Sequence, residues 1–184
     1  MSQIAEELKV TYTDILVFGE SNQRMELFDG EFIMTAMPNI THQRIAMKLG
    51  LLLYNYVSQR KLGVVLSNPV DVYLSGTTVL QPDVTFLSNE RHHINDGKKY
   101  TASPDLVIEI LSESTEERDR NFKFREYARY GAKEYWLVSP EKREIEVYQN
   151  SPRGFQLVNK FSQNYTLNSP LFADIALKVE QVFE

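Results

Sequence analysis

The stretch PDLVIEIL, residues 104–111, decides the fold class of this chain. Its aliphatic residues occupy both alternating sets of positions, which predicts a strand with both faces covered. Glu109 interrupts this apolar run. An ionised carboxylate in a covered strand costs several kcal/mol unless an amine, a guanidinium or a metal ion compensates it. From this strand alone, a structural ion pair and a functional carboxylate remain two open interpretations.

A second acid stands where another predicted strand begins, in QPDVTF, residues 81–86. A lone acid at Asp83 would usually cap or solvate the end of the strand. Together, Asp83 and Glu109 can lie side by side in one sheet, where their charges would repel each other without a cation. Their carboxylates and the main-chain carbonyl of Ile110 would supply oxygen ligands that suit Mg²⁺ or Mn²⁺.

The helix that follows the Glu109 strand provides a basic group. Ser114-x-x-Glu117 matches a capping box, so regular helix is expected from there, with Asp119 and Lys123 one turn apart on one face. Because this helix leaves directly from the strand, the Lys123 ammonium could orient a water molecule or stabilise a phosphorane-like transition state. The alternative is an exposed Asp119–Lys123 ion pair, worth less than about 1 kcal/mol.

The rest of the chain alternates between helices and strand pairs, which predicts an α/β (α+β) fold with a mixed sheet flanked by helices, in a single domain over residues 1–184. In the first half of the chain, the predicted elements are a short helix at 13–19, a hairpin at 25–34 around Asp29-Gly30, a long helix from Asn39 or Thr41 to Gly63, and a strand pair at 64–74 and 79–87. A polar loop at 88–104 follows. The second half is predicted to contain a helix at 112–130, strands at 134–138 and 144–148, and further strand-like pieces at 155–158 and 175–179.

Composition excludes several classes of function. The chain has no cysteine, which excludes disulfides, thiolate zinc sites, Fe–S clusters and a cysteine nucleophile, and is compatible with a reducing cytoplasm. It begins without a signal-peptide pattern, and no apolar run approaches the roughly 18 residues of a membrane span. We therefore expect a cytoplasmic protein without membrane contact. The net charge of −5 argues against binding nucleic acid through overall charge, so phosphate contacts would have to be local.

In order and spacing, these segments resemble the Uma-two family (domain of unknown function 820). The resemblance rests on ELFDGEFI (26–33), HQRIAMKL (42–49), NPVDVYL (68–74), QPDVTF, PDLVIEILSEST, D-x-x-x-K-x-x-x-Y from Asp119, GAKEYWLV and EIEVY, and it spans roughly residues 13–181. It implies an endonuclease of the PD-(D/E)xK superfamily, with a restriction-endonuclease-like core and an N-terminal β-hairpin extension. It also implies Asp83 and Glu109 as the metal carboxylates and Lys123 as the catalytic lysine.

The chain departs from the wider superfamily at one position. The usual lysine stands two residues after the glutamate, where this chain has Leu111. The resemblance places the lysine on the following helix instead, at Lys123. Glu31 and His42 lie in segments that resemble the family and are secondary candidates for the site, as is Asp119. For His42, a partly buried structural histidine is the more common outcome.

Three functions compete at this point. The first is a Mg²⁺- or Mn²⁺-dependent nuclease acting on DNA. The second is a non-hydrolytic nucleic-acid or protein interaction module, which the acidic pI and the missing strand lysine favour. The third is hydrolysis of a small phosphate ester, which needs no basic surface. A homodimer is a further hypothesis, with 145–148 as a candidate edge strand.

Overall fold

The first elements form largely as predicted. The computed structural model describes residues 9–17, 24–34 and 37–184. Helix α1 (Tyr12–Val17) begins after Thr11, whose N–H and hydroxyl both donate to Asp14 Oδ2; the predicted end of this helix at 18–19 lies outside the described residues. Strands β1 (Met25–Phe28) and β2 (Glu31–Met34) form the hairpin, and its turn residues have positive φ.

The long helix α2 (Ile40–Arg60) is capped by Asn39, whose side chain accepts a hydrogen bond from the His42 N–H at 2.9 Å. It ends at Lys61 in the left-handed conformation, so the predicted end at Gly63 is wrong. Gly63 instead begins the next strand. A side chain does not fit there, because an added Cβ would lie 2.0 Å from the Leu87 carbonyl oxygen.

The two strand runs at 64–74 and 79–87 are each divided between two sheets. Pro69 and Pro82 interrupt them, because proline cannot donate to a strand ladder. The resulting strands are β3 (Gly63–Leu66), β4 (Val72–Ser75), β5 (Thr78–Leu80) and β6 (Val84–Ser88). The β4–β5 hairpin is as predicted. The polar loop begins with a 3₁₀ helix, Asn89–Ile94, and contributes no residue to the acid cluster described below.

The central sheet has six strands in the order β10-β9-β8-β7-β6-β3. Its later members are β7 (Leu106–Ile110), β8 (Glu134–Ser139), β9 (Glu144–Ser151) and β10 (Gly154–Ser162). Only β7 and β8 are parallel, so the sheet is mixed as expected. Strand β9 lies between β8 and β10, so 145–148 is not an edge strand and the prediction of dimerisation through it is wrong.

The crossover from β7 to β8 differs from the regular helix that was predicted. It consists of α3 (Glu116–Arg118), a π-helical segment (Asp119–Lys123) and α4 (Phe124–Arg129). The N-cap is Thr115 without a side-chain cap bond, so the predicted capping box does not form; the Ser114 hydroxyl instead lies 3.2 Å from that of Ser112. The π segment is the part of the crossover that faces the sheet with charged side chains.

Two further layers cover the central sheet. One face carries α2 and the C-terminal elements β11 (Thr166–Leu167), β12 (Leu177–Lys178) and α5 (Glu180–Phe183). The other carries α4 and a second sheet in the order β2-β1-β5-β4, which incorporates the N-terminal hairpin through Leu27 opposite Val79. Both faces of β7 are therefore covered, as its sequence predicts. Within the described ranges, no helix combines the length and the apolar character that crossing a membrane requires.

Charged side chains fasten the π segment to the sheet next to this core. The Arg120 guanidinium donates to both oxygens of Glu146, at 3.0 and 3.2 Å, and Lys160 Nζ lies 3.1 Å from the same carboxylate. Tyr148 also donates to Glu146. Burial alone would raise the pKa of Glu146, but these donors lower it to about 2.

Acid should weaken the fold through this carboxylate. Because the folded-state pKa of Glu146 lies below its usual 4.5, its contribution is complete above that pH and is lost as the pH falls towards 2. Urea unfolding between about pH 6 and about pH 2 should show a smaller loss of stability in Glu146→Gln than in the wild type. Glu144→Gln, on the same strand, serves as the control, and equal pH profiles for all three proteins would contradict the prediction.

Candidate active site

Asp83 directly precedes β6, and Glu109 lies on the neighbouring strand β7. Strands β6 and β7 are antiparallel with Val84 opposite Ile108, and the same register one residue further sets Asp83 opposite Glu109. Side chains at opposite positions share one face of the sheet. Both residues are buried, with 6% and 2% of their surface exposed. The two acids therefore form a pair that water reaches poorly.

Lys123 joins this pair from the π segment. Its Nζ lies 2.9 Å from Glu26 Oε1, 3.1 Å from Glu109 Oε1 and 3.3 Å from Asp119 Oδ1. All four side chains are buried, so the exposed Asp119–Lys123 pair is not what forms. The Tyr127 hydroxyl, one turn further along, donates to Glu109 Oε1 at 3.3 Å. The ammonium thus contacts three carboxylates from three different elements.

A second group of contacts surrounds Asp83. Its Oδ1 accepts from Arg24 Nη1 at 2.8 Å, and its Oδ2 accepts from the Ile110 N–H at 2.8 Å and lies 3.1 Å from His42 Nε2. The Arg24 guanidinium also donates to the Gln81 carbonyl. Burial would raise the pKa of Asp83, but His42 and Arg24 lower it to about 2. Asp83 is therefore the ionised member of the pair.

Negative charge exceeds permanent positive charge in this cluster. Among the ion pairs of the described residues, the acids Glu26, Asp83, Glu109 and Asp119 meet two permanent cations, Arg24 and Lys123. Burial, opposed by Lys123, raises the pKa of Glu109 well above its usual value, and it raises that of Asp119 as well. Burial would lower the pKa of Lys123, but the carboxylates around it raise it. The cluster therefore favours uptake of a proton or of a further cation.

The cluster opens to solvent on one side through a cleft of about 790 Å³. Arg24, His42 and Asp83 line this cleft together with the N-terminal half of α2 and residues 67–69 of the β3–β4 connection. Glu109 and Lys123 lie behind Asp83 and do not line the cleft. Of the two acids, Asp83 is therefore the one that a ligand in the cleft can contact.

The predicted site residues differ in where they lie. The structure brings together five of them, namely Asp83, Glu109, Lys123, Asp119 and His42. The Ile110 N–H donates to Asp83. The role of the Ile110 carbonyl as a third metal ligand stays a prediction. Glu31 is exposed at the start of β2 and is not among the side chains around Lys123.

Sequence reasoning missed Arg24 and Glu26. Glu26 carries the same signal as Glu109, because it is an acid within the apolar strand MELF and is 3% exposed. Arg24 precedes that strand and gives no pattern of its own; only the pairing of β1 with β5 brings it to Asp83.

The donor chemistry of the cluster fits a hard divalent cation. Carboxylate oxygens are the ligands that Mg²⁺ and Mn²⁺ prefer, and the buried Asp119 Oδ1 has the Lys123 ammonium at 3.3 Å as its charged neighbour. Among residues 9–17, 24–34 and 37–184, however, no three His, Asp or Glu side chains are grouped so as to hold a metal ion by themselves. A bound ion would therefore take ligands from a pair of acids, main-chain oxygen, water and substrate.

Comparison with solved structures identifies the class of fold. A crystal structure described as a putative nuclease belonging to DUF820, from Anabaena variabilis, superimposes with a TM-score of 0.77 and 18% sequence identity, covering 95% of this chain and 97% of that one. The mixed sheet and its flanking helices are thus a restriction-endonuclease-like fold.

Sequence comparison identifies the family. The model of the Uma2 family, described as "Putative restriction endonuclease", matches residues 10–180, and the chain belongs to that family. Two uncharacterised Synechocystis proteins are also similar. The protein slr1290 is 28% identical over 137 residues, which is 74% of this chain and 71% of that protein; sll1609 is 25% identical over 131 residues, 71% and 74% of the respective chains.

Removing the lysine and removing the central acid should affect stability differently. Lys123→Met leaves three buried carboxylates without their shared cation and should lower the free energy of unfolding by about 3 kcal/mol or more. Glu109→Gln resembles the protonated acid and relieves repulsion, so it should change stability by less than about 1 kcal/mol or raise it.

Urea unfolding at neutral pH, in the presence of a chelator, measures both effects. Lys160→Met, which removes a half-exposed lysine from Glu146, is the control for the loss of a lysine. Equal losses in Glu109→Gln and Lys123→Met would show that Glu109 is ionised in the metal-free protein.

Proposed function

We propose that this protein is a Mg²⁺- or Mn²⁺-dependent nuclease that hydrolyses phosphodiester bonds in DNA. The observation that carries the proposal is the pair of opposite acids, Asp83 and Glu109, in a buried cluster where negative charge exceeds positive charge. Membership in the Uma2 family supports the same reading. A cysteine-free chain is compatible with a reducing cytoplasm, where we expect this activity to operate.

Asp83, Glu109 and the Ile110 carbonyl would hold the ion. When bound, it supplies charge that polarises the scissile phosphate and acidifies a water molecule. Lys123 keeps Glu109 oriented through its contact with Oε1, and its raised pKa keeps the ammonium protonated, so it adds positive charge beside the site. Tyr127 donates to the same oxygen and restricts the rotation of the carboxylate.

Arg24 and His42 act from the side of the cleft. Both contact Asp83, and both line the cleft wall, so an incoming phosphate would meet two nitrogen donors beside the acid. Arg44 lines the same cleft. This local set of donors suits phosphate binding by a protein whose net charge is −5.

A second function follows from a specific feature of Asp83. Both of its oxygens already have protein partners, namely Arg24 on Oδ1 and the Ile110 N–H on Oδ2. A site satisfied in this way suits a non-hydrolytic interaction module that retains the fold. Calorimetric titration with Mn²⁺ separates the two functions, because the nuclease requires metal binding that weakens in Asp83→Asn and Glu109→Gln.

Cleavage assays test the nuclease directly. With Mg²⁺ or Mn²⁺, the wild type should cleave DNA, and Glu109→Ala should lower the rate by about a hundredfold or more, because one metal carboxylate is lost. Duplex DNA, single-stranded DNA and mononucleotide esters form the substrate panel. Glu31→Ala is the matched control, since it removes an exposed acid outside the cluster. Full activity in Glu109→Ala would reject the assignment.

A further inference from the structure

The outer face of α2 carries an apolar stripe that points to solvent. Ile40, Met47, Leu51 and Tyr54 are 78%, 61%, 57% and 56% exposed. The opposite face of the same helix packs on the central sheet through Ile45, Leu49, Leu53 and Val57. The stripe residues follow one another at intervals of seven, four and three positions, which is the spacing of a helix–helix seam. We call these four residues the α2 stripe.

We propose that the α2 stripe is the interface through which two copies of this chain associate. Met37, which is 74% exposed, extends the stripe beyond the start of the helix. Five side chains of this size expose roughly 500 Å² of apolar surface, the scale at which surface patches mark interaction sites. A standard interface buries about 800 Å² per partner, a little over half of it apolar, so the stripe and Met37 together have the area that such an interface needs.

Charge favours an antiparallel arrangement of the two α2 helices. The helix contains no acidic residue, and Arg44 and Lys48 lie in its N-terminal half, where both donate to the main-chain oxygen of Glu184. In an antiparallel pair, Arg44 faces the uncharged residues around Tyr54 of the other copy. The two Lys48 side chains lie beside the two-fold axis, each with Glu184 of its own chain as its partner. Opposed helix dipoles favour the same orientation. The two-fold axis then passes close to Met47 and Leu51.

A single strand of nucleic acid is the competing occupant. Met37, Ile40 and Met47 line the cleft beside Asp83 and could contact an unpaired base. The stripe, however, continues to Leu51 and Tyr54, which do not line the cleft. Three of its four residues are aliphatic or methionine, whereas single-strand sites use aromatic platforms with cations along the backbone. The length and chemistry of the stripe therefore favour a second copy of the chain.

Light scattering on the full chain gives the first test. The wild type should have about twice the 21.4 kDa mass of one chain, and Met47→Glu/Leu51→Glu should have the mass of a monomer. Gln59→Glu is the control, because Gln59 is exposed on the same helix about a quarter turn away from the stripe. A monomeric wild type would overturn the proposal, and so would a dimer that survives the double substitution.

The absence of cysteine allows a second test that does not depend on disrupting the helix. In single-cysteine variants treated with a short bis-maleimide, Met47→Cys should form covalent dimers, and Gln59→Cys should not. Ile40→Cys should not either, because the antiparallel arrangement separates its two copies by at least about 20 Å. Cross-linking at residue 40 without cross-linking at residue 47 would overturn the antiparallel interface.

Binding of a fluorescent single-stranded oligonucleotide distinguishes the two occupants. The proposal requires that Leu51→Glu shifts the protein towards monomer, while its oligonucleotide affinity stays within about twofold of the wild-type value. If the wild type and Leu51→Glu were both monomers and Leu51→Glu bound the oligonucleotide tenfold more weakly, the stripe would be assigned to nucleic acid. These mass and binding measurements need no catalysis, so their outcome is independent of whether the proposed nuclease activity is found.

Discussion

The contact of Lys123 with three buried carboxylates is the interaction on which the rest of the site depends. Glu26 comes from the second sheet, Glu109 from the central sheet and Asp119 from the same crossover as the lysine, so one ammonium connects three elements of the chain. Each acid would be costly to bury by itself. The same contact explains how charged residues persist in a strand that is otherwise aliphatic on both faces, and why the crossover must carry its charged side chains inwards.

The pKa values of the acids in the cluster are shifted in opposite directions. Arg24 and His42 stabilise the charge on Asp83, whereas burial and neighbouring acids favour protonation of Glu109 and Asp119. Such a difference between adjacent carboxylates is typical of sites that exchange a proton for a cation. The location of the cleft agrees with this division, since it reaches Asp83 and not Glu109. The lysine that contacts Glu109 comes from the π segment, and Leu111, two residues after Glu109, is buried in the core.

Helix α2 contributes to both the buried cluster and the proposed interface between two copies. One helix packs on the sheet through one face, positions His42 at its first turn and exposes an apolar stripe on the opposite face. Its N-terminal half also forms a wall of the cleft. The proposed association of two copies and the proposed chemistry therefore meet on a single element, where Ile40 and Met47 border both the stripe and the cleft.

The sequence by itself determined the elements and the identity of the central acids. Local patterns suffice for this, because alternation, turn residues and an acid in an apolar strand are properties of neighbouring positions; β7, α2 and the β1–β2 hairpin were predictable for that reason. Tertiary structure alone decided that Pro69 and Pro82 divide their runs between two sheets, that β9 is internal, and that Arg24 and Glu26 join the site. These outcomes depend on pairing between residues far apart in the chain. The free energy that stabilises such pairing comes from burial and charge compensation, which cannot be read from neighbouring positions in the sequence.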